Sequence, residues 1–225
     1  MDSVVISLIV SLVINITMFV IAFRLQSDKL TDASYAVTFL TLTVFGFIIS
    51  DGSAYHVLLA TMLAVWAFRL GGFLLYRVIR AGKDRRFDGM RENFVKFGTF
   101  WLIQAVSVWV LMIPSVLAFE LQVGLAPLAV LGVLIWLVGF LVESVADAQK
   151  NSFTSNKANR GKWIESGMWK YSRHPNYFGE ILVWLGVYVY ATASFSPALA
   201  VLASVSPLFI TVLLLFVSGI PILEK

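Results

Sequence analysis

The chain has 225 residues, of which 59% are hydrophobic and 13% are charged, and its mean hydropathy is +0.86. Soluble domains are roughly 45–50% apolar and about 25% charged, so this composition excludes an ordinary soluble protein and predicts an integral membrane protein. The absence of cysteine excludes disulfides and thiolate metal sites. With only two histidines, His56 and His174, a multi-histidine metal centre is not expected either.

Apolar segments long enough to cross a bilayer follow one another along the chain. A membrane-spanning helix needs roughly 20 predominantly apolar residues. Seven segments approach or exceed this length, over residues 3–23, 33–50, 55–79, 97–118, 124–146, 177–193 and 198–221. The last two are separated only by a tight turn near TASFSPA, so they could form a re-entrant or tilted hairpin. We expect an all-α polytopic bundle of about seven transmembrane helices, forming one membrane domain over residues 1–225.

Basic residues divide unevenly between the predicted loops. Of the 17 Lys and Arg, 16 lie in the alternating segments 24–32, 77–96 and 147–176 and at the C-terminus, whereas the opposite loops hold none. Lys and Arg accumulate in short cytoplasmic loops. The distribution therefore predicts an outside N-terminus and a cytoplasmic C-terminus, and it would be the same in a prokaryotic inner membrane and in the endoplasmic reticulum. We expect no cleavable signal peptide, because no basic region precedes the first span and no Ala-x-Ala-like site follows it.

Ionisable side chains within a span are costly and often functional. Arg69 lies in the third predicted span, Glu143 in the fifth and Glu180 in the sixth, with Asp147 at the edge of the fifth. Glu143 and Asp147 are four residues apart and so share one helix face. Two such carboxylates repel each other unless a cation or a hydrogen-bond donor lies beside them. A loop residue such as Lys150 could supply it, and so could a ligand.

Polar and aromatic side chains crowd together before the sixth span, in GMWKYSRHPNYFGE (167–180). Pro175 can occupy the first turn of a helix, with Ser172 as a possible cap. The N–H groups of that turn, with Arg173 and His174 beside them, would attract an anion such as phosphate. An aromatic belt at the membrane interface would explain Arg173 and the rings, but not His-Pro-Asn followed by Gly-Glu. The rings available to stack on a planar ligand are Trp169, Tyr171 and Tyr177.

The segment SGMWKYSRHPNYFGE, with ESVADAQK upstream and VSGIPILEK at the end, resembles the steroid 5-alpha-reductase-like membrane proteins. Within that family it is most similar to a bacterial and archaeal branch of unassigned substrate, which implies a multi-pass protein of a prokaryotic inner membrane. The isoprenylcysteine carboxyl methyltransferases, of the same superfamily, share the shorter pattern Arg-His-Pro-x-Tyr-x-Gly. The resemblance extends from about residue 60 to the end and is weak over about 1–54. Relatives usually continue past LEK with a polar, Tyr-rich tail, which we expect this chain to lack.

The resemblance implies a reductase that uses NADPH to reduce a carbon–carbon double bond conjugated to a carbonyl in a lipid-like substrate. The cofactor would bind in a cytoplasm-facing cavity, and the substrate would enter from the bilayer. The expected cofactor-binding residues, matched by motif or adjacent to the motifs, are Glu143, Asp147, Lys150, Trp169, Tyr171, Arg173, His174, Asn176, Tyr177, Glu180 and Glu224. The candidates for the acid that polarises the carbonyl oxygen are Tyr35, Arg69 and Tyr76.

Two other functions remain open at this point. The shared Arg-His-Pro pattern also permits methyl transfer from S-adenosylmethionine to a lipid or a prenylated cysteine. The short C-terminus permits a non-catalytic lipid-binding protein of the same fold. In each case we expect membrane lipids and a lipid-like small molecule as partners, and neither a nucleic acid nor a metal ion.

Overall fold

The computed structural model describes residues 2–81, 87–121 and 126–217, without the side chains of residues 77–81. Over these residues the chain forms helices joined by short turns, with no strand, which confirms the all-α prediction. The helices are α1 (Asp2–Arg24), α2 (Lys29–Ile49), α3 (Ala54–Ala81), α4 (Phe94–Phe119), α5 (Pro127–Ser155), α6 (Pro175–Thr192), α7 (Pro197–Ala203) and α8 (Val205–Val212). Two 3₁₀-helices, Lys157–Asn159 and Gly167–Lys170, lie between α5 and α6, and a π-helical turn, Leu213–Val217, follows α8.

Six helical stretches among the described residues are long and apolar enough to cross a membrane. They are α1, α2, the Ala54–Tyr76 part of α3, α4, α5 and the continuous stretch Pro197–Val217. The chain is therefore a multi-pass integral membrane protein. The predicted sixth span, 177–193, forms as α6 but is not one of the six, because Asn176 and Glu180 lower the hydropathy of its 18 residues. A count of seven spans and the orientation of the termini stay predictions.

The chain divides into two compact units, Met1–Leu125 and Ala126–Lys225. In the N-terminal unit, α1 packs against α2 and α4, and α2 also packs against α3 and α4. Ser3, Ser7, Ser11 and Asn15 recur every four residues on the buried face of α1. Small and polar residues in this arrangement let membrane helices approach closely and hydrogen-bond to one another. That the whole chain forms one membrane domain stays a prediction.

Gln104 of α4 is the centre of a buried hydrogen-bond network that joins three helices of the N-terminal unit. Its Nε2 donates to Asn15 Oδ1 of α1 (3.0 Å) and to Ser34 Oγ of α2 (2.7 Å), and lies 3.2 Å from the Thr31 carbonyl oxygen. The Nδ2 of Asn15 donates to Thr38 Oγ1 at 3.1 Å. Because the bilayer core offers no water to these groups, their mutual hydrogen bonds hold α1, α2 and α4 in one arrangement.

Charged groups stabilise the two ends of this unit. At one end, Arg91 Nη2 lies 3.2 Å from the buried Asp28 Oδ2, between α1 and α2, and 2.8 Å from Asp88 Oδ1. The Asp28–Arg91 ion pair therefore connects the α1–α2 turn to the segment that precedes α4. Because Asp28 is only 3% exposed, removing Arg91 would leave a buried carboxylate without this cation.

His56, in the first turn of α3, lies at the opposite end. Its Nδ1 is 2.7 Å from Asp51 Oδ1, and its Nε2 is 3.1 Å from the Ala118 carbonyl oxygen at the end of α4. The Ser53 backbone N–H donates to the same Asp51 oxygen at 2.9 Å. The hydrogen bonds from Ser53 and His56 hold the pKa of Asp51 below its usual value.

In the C-terminal unit, α5 and α6 form the most extensive helix–helix contact among the described residues. Glycines seven residues apart make it: Gly132 and Gly139 on α5, and Gly179 and Gly186 on α6. Each glycine faces the backbone of the partner helix, so a side chain at any of them would push the two helices apart. The close contact continues along α5 to Glu143.

Candidate functional site

The turn that leads into α6 positions most of the candidate residues. Pro175 is the first residue of α6, as the sequence predicts, and its fixed φ suits that position. The N-cap is His174, whose side chain makes no capping hydrogen bond. Ser172, predicted as a possible cap, instead accepts a hydrogen bond from the His174 backbone N–H at 3.2 Å. The hydrogen bond between the His174 backbone and the Ser172 hydroxyl therefore stabilises the turn just before α6 begins.

The hydrogen bond between Asn176 and Asp147 brings two separated motifs together. Asn176 Nδ2, in the first turn of α6, donates to Asp147 Oδ1 of α5 at 3.2 Å. Glu143 lies one turn earlier on α5 and is 2% exposed, whereas Asp147 is 7% exposed. The structure thus places both predicted carboxylates on the buried face of α5, and an amide donor from α6 stabilises one of them.

The oxygen of the Asn176 amide, unlike its nitrogen, has no hydrogen-bond partner among the described residues. Asn176 Oδ1 is buried and accepts no hydrogen bond from any described residue. A buried acceptor without a donor costs roughly 1–3 kcal/mol. An acceptor of this kind, on the residue that donates to Asp147, calls for a donor such as a water molecule or a ligand N–H group.

The 3₁₀-helix Gly167–Lys170 folds back against α5. Trp169 Nε1 donates to the Ala146 carbonyl oxygen at 3.0 Å, and Lys150 Nζ lies 4.9 Å from the centroid of the Trp169 ring. The Met168 backbone N–H donates to Gln149 Oε1 at 2.9 Å. Gln149 was not among the predicted site residues, although it belongs to the ESVADAQK motif, because its contact is with a residue 19 positions away.

Five further predicted residues lie on the turn before α6 or on its first two turns. The His174 ring is stacked on Tyr177, with centroids 5.2 Å apart and an angle of 8° between the planes. Glu180, on the next turn of α6, is half-buried. Tyr171 is 86% exposed and Arg173 is also exposed. The site therefore has a buried interior rich in acceptors and an exposed rim that carries a guanidinium and an aromatic ring.

The predicted catalytic candidates all belong to the N-terminal unit. Tyr35 on α2 is half-buried, with its ring edge-on to Phe39 at 4.9 Å between centroids. Arg69 on α3 is half-buried, and its guanidinium carbon lies 6.0 Å from the Phe73 ring centroid. Tyr76 is 46% exposed. Their role as the acid stays a prediction.

The remaining predicted residue, Glu224, lies outside the described residues. Among the residues that the structure describes, no group of three or more His, Asp and Glu side chains is placed to hold a metal ion. Chemically, the described part of the site can accept hydrogen bonds or bind a cation in its interior. Its rim, with Arg173 and the first turn of α6, can bind an anion.

The sequence family DUF1295, a protein family of unknown function, matches residues 18–225. The chain belongs to this family. The matched region begins within α1 and includes all the predicted site residues, so the α5–α6 contact and the turn before α6 are part of the family's shared region. No curated protein and no solved structure matches the chain.

Proposed function

We propose that the protein is a membrane reductase that uses NADPH to reduce a carbon–carbon double bond conjugated to a carbonyl in a lipid-like substrate. The observation that supports this most is the Asn176–Asp147 hydrogen bond, because it unites the ESVADAQK and RHPNYFGE motifs in one site. The similarity of these motifs to the steroid 5-alpha-reductase-like proteins supplies the reaction class. The DUF1295 match does not assign a reaction, because the function of that family is unknown.

The residues of the site offer partners for three parts of NADPH: the nicotinamide carboxamide, a phosphate and the adenine ring. The buried Asn176 Oδ1 and the carboxylates of Glu143 and Asp147 are acceptors suited to the N–H donors of a nicotinamide carboxamide. The exposed Arg173 offers a planar donor fork for a phosphate, beside the N-terminus of α6. The exposed ring of Tyr171 offers a stacking surface for adenine.

When bound, the cofactor would supply the hydride. The chain's own residues would fix the nicotinamide amide through Asn176 and Asp147 and hold the phosphates at the α6 rim. One of Tyr35, Arg69 and Tyr76 would stabilise the substrate oxygen as it gains negative charge. A tyrosine would do so by donating a proton or a hydrogen bond, and Arg69 would do so by its positive charge.

One structural observation favours a second candidate, a methyltransferase that uses S-adenosylmethionine. Glu143 and Asp147 are both almost fully buried, and buried carboxylates favour a cationic ligand. S-adenosylmethionine carries a sulfonium and an ammonium group, whereas NADPH carries neither. The shared Arg-His-Pro pattern is consistent with this reaction as well.

Ligand-dependent thermal unfolding of the purified full chain separates these functions. A ligand at about 100 times its dissociation constant stabilises the folded state by about 2.7 kcal/mol. We expect NADPH to raise the unfolding temperature, and Arg173→Ala to remove most of that increase. The matched control is Arg160→Ala, which removes an arginine that is also exposed, from the turn after α5, and is expected to leave the response intact.

Each alternative has its own outcome in the same experiment. A shift with S-adenosylmethionine and none with NADPH would replace the reductase by the methyltransferase. No shift with either ligand would favour a non-catalytic lipid-binding protein. An equal loss of the NADPH response in Arg173→Ala and Arg160→Ala would show that general positive charge, rather than the α6 rim, holds the cofactor.

A further inference from the structure

The turn that follows α5 displays three cations and a tryptophan to the surroundings. This 156–163 loop contains Lys157, Arg160 and Lys162 and no acidic residue, and it ends at Trp163. All four side chains are exposed, and Trp163 is 83% exposed. Tryptophan is usually well buried in folded proteins. An indole this exposed, beside three cations, indicates a surface that contacts another molecule.

The 156–163 loop has a defined shape. Asn156 Oδ1 caps the 3₁₀-helix Lys157–Asn159, and Asn159 Nδ2 donates to the Phe153 carbonyl oxygen of α5 at 2.9 Å. The Lys162 backbone N–H donates to the Asn159 carbonyl oxygen at 3.0 Å, across Gly161, whose φ is +77°. These bonds fix the backbone from which the cations project.

The three cations are not neutralised within the described part of the chain. No carboxylate among the described residues forms an ion pair with Lys157, Arg160 or Lys162. The only acidic residue nearby in sequence is Glu165, two positions after Trp163. The three cations are therefore available to a partner that is negative and extended enough to meet all of them.

The length of α5 places this loop near the membrane surface. Its 29 residues span about 43 Å at 1.5 Å per residue. A bilayer including its headgroup layers is roughly 40–45 Å thick. If α5 begins in one headgroup layer, its end at Ser155 reaches the other, and the 156–163 loop follows directly. Trp and Tyr are enriched at this depth, where the ring is partly in hydrocarbon and the N–H is hydrated.

We propose that the 156–163 loop binds the headgroups of anionic phospholipids. The loop's three cations match the phosphates, and Arg160 can donate two parallel hydrogen bonds to one of them. Each Lys or Arg near an anionic membrane surface favours its binding by about fivefold. The loop joins α5 at Phe153, six residues or roughly 9 Å along the helix from Asp147, so the test includes competition between NADPH and the lipid.

The test measures which lipid lies next to Trp163. The full chain is placed in phosphatidylcholine nanodiscs containing a small fraction of bromine-labelled phosphatidylglycerol or, separately, bromine-labelled phosphatidylcholine. The difference in quenching between the parent chain and Trp163→Phe isolates the Trp163 signal. We expect the anionic lipid to quench Trp163 several-fold more than the zwitterionic one at equal fraction, and 0.5 M salt to reduce the difference.

A matched pair of triple variants assigns the preference to this loop. Lys157→Gln/Arg160→Gln/Lys162→Gln should remove most of the preference. Arg24→Gln/Lys29→Gln/Lys96→Gln removes the same number of exposed lysines and arginines from the N-terminal unit and should retain it. The charge-preserving variant Lys157→Arg/Lys162→Arg should also retain it, which separates charge from any effect on folding.

Several results would overturn the proposal. Equal quenching by the two lipids in the parent chain would remove its basis. An equal loss in both triple variants would assign the preference to net charge alone. Displacement of the anionic lipid by NADPH would show that the loop belongs to a nucleotide site. Because the readout is lipid contact, a failure here leaves the NADPH-dependent unfolding response unaffected, and the reverse also holds.

Discussion

Gly179 of α6 lies directly against the backbone of Glu143 on α5. A Cβ atom at position 179 would come within 2.5 Å of the Glu143 nitrogen and 2.8 Å of its Cα. Glu143 precedes Asp147 by one helical turn, and Gly179 follows Asn176 by nearly one turn. The close approach at Gly179 therefore sets the distance across which Asn176 reaches Asp147.

We expect Gly179→Ala to destabilise the protein by about 1–3 kcal/mol, because the added methyl group must displace backbone rather than a flexible side chain. The measurement is unfolding of the purified protein in detergent, with and without NADPH. Gly72→Ala is the control, since a Cβ there meets nothing within 4 Å and alanine is the better helix former. A neutral Gly179→Ala would contradict the packing described for α5 and α6.

A double-mutant cycle on Asn176 and Asp147 should give a coupling free energy of about 0.5–3 kcal/mol, because the two side chains share a hydrogen bond. Asn176→Ala alone should be the more costly of the two single changes, since it leaves the Asp147 carboxylate buried without that donor. The free energies of unfolding of the parent, both single variants and the double variant supply the coupling. Additive effects would mean that the hydrogen bond contributes nothing to stability.

Asp51 predicts a pH dependence at the opposite end of the N-terminal unit. Its pKa is lowered from 3.8 by hydrogen bonds from the Ser53 backbone N–H and from His56. The ionised carboxylate therefore stabilises the folded state above pH 3.8, and this contribution is lost as the pH falls through the lowered folded-state pKa. We expect Asp51→Asn to be less stable than the parent at neutral pH.

The difference between Asp51→Asn and the parent should shrink when unfolding is repeated at pH values below 3.8. Asp2→Asn is the control, because it removes an exposed carboxylate at the start of α1 that has no side-chain hydrogen bond in the described structure. A difference between Asp51→Asn and the parent that is independent of pH would assign the effect of Asp51→Asn to packing instead of charge.

The sequence predicts the membrane helices well, because their signal is local. Runs of apolar residues mark α1 to α4 and the start of α5 within a few residues, but α5 continues to Ser155, well beyond the end of the predicted span at residue 146. Pro175 marks the start of α6. The prediction is less complete for α6, where length and position suggested a span but the polar first turns keep its hydropathy below that of the six candidates. Apolar content alone does not separate a crossing helix from a helix buried by its neighbours.

The candidate site shows where sequence patterns stop being informative. The four-residue spacing of Glu143 and Asp147 was enough to predict a shared face. The Trp169–Ala146 and Met168–Gln149 hydrogen bonds were not predictable, since they join residues about 20 positions apart through a folded turn. Distances of this kind depend on tertiary packing, which no local pattern encodes.

The Gln104 network was also missed, because its polar residues are scattered within runs that are otherwise apolar. Gln104→Leu removes the donor to Asn15 Oδ1 and Ser34 Oγ, so we expect a loss of about 1–2 kcal/mol in the free energy of unfolding. The double change Asn15→Leu/Gln104→Leu should cost less than the sum of the two single changes, since neither partner is then left unsatisfied.

Denaturant titration of the protein in detergent micelles measures these differences. Thr61→Val is the control, because it removes an exposed hydroxyl whose hydrogen bond stays within α3, to the Val57 carbonyl oxygen. If Gln104→Leu is no more costly than Thr61→Val, the network does not hold α1, α2 and α4 together. The packing of their apolar side chains would then account for the stability of the N-terminal unit.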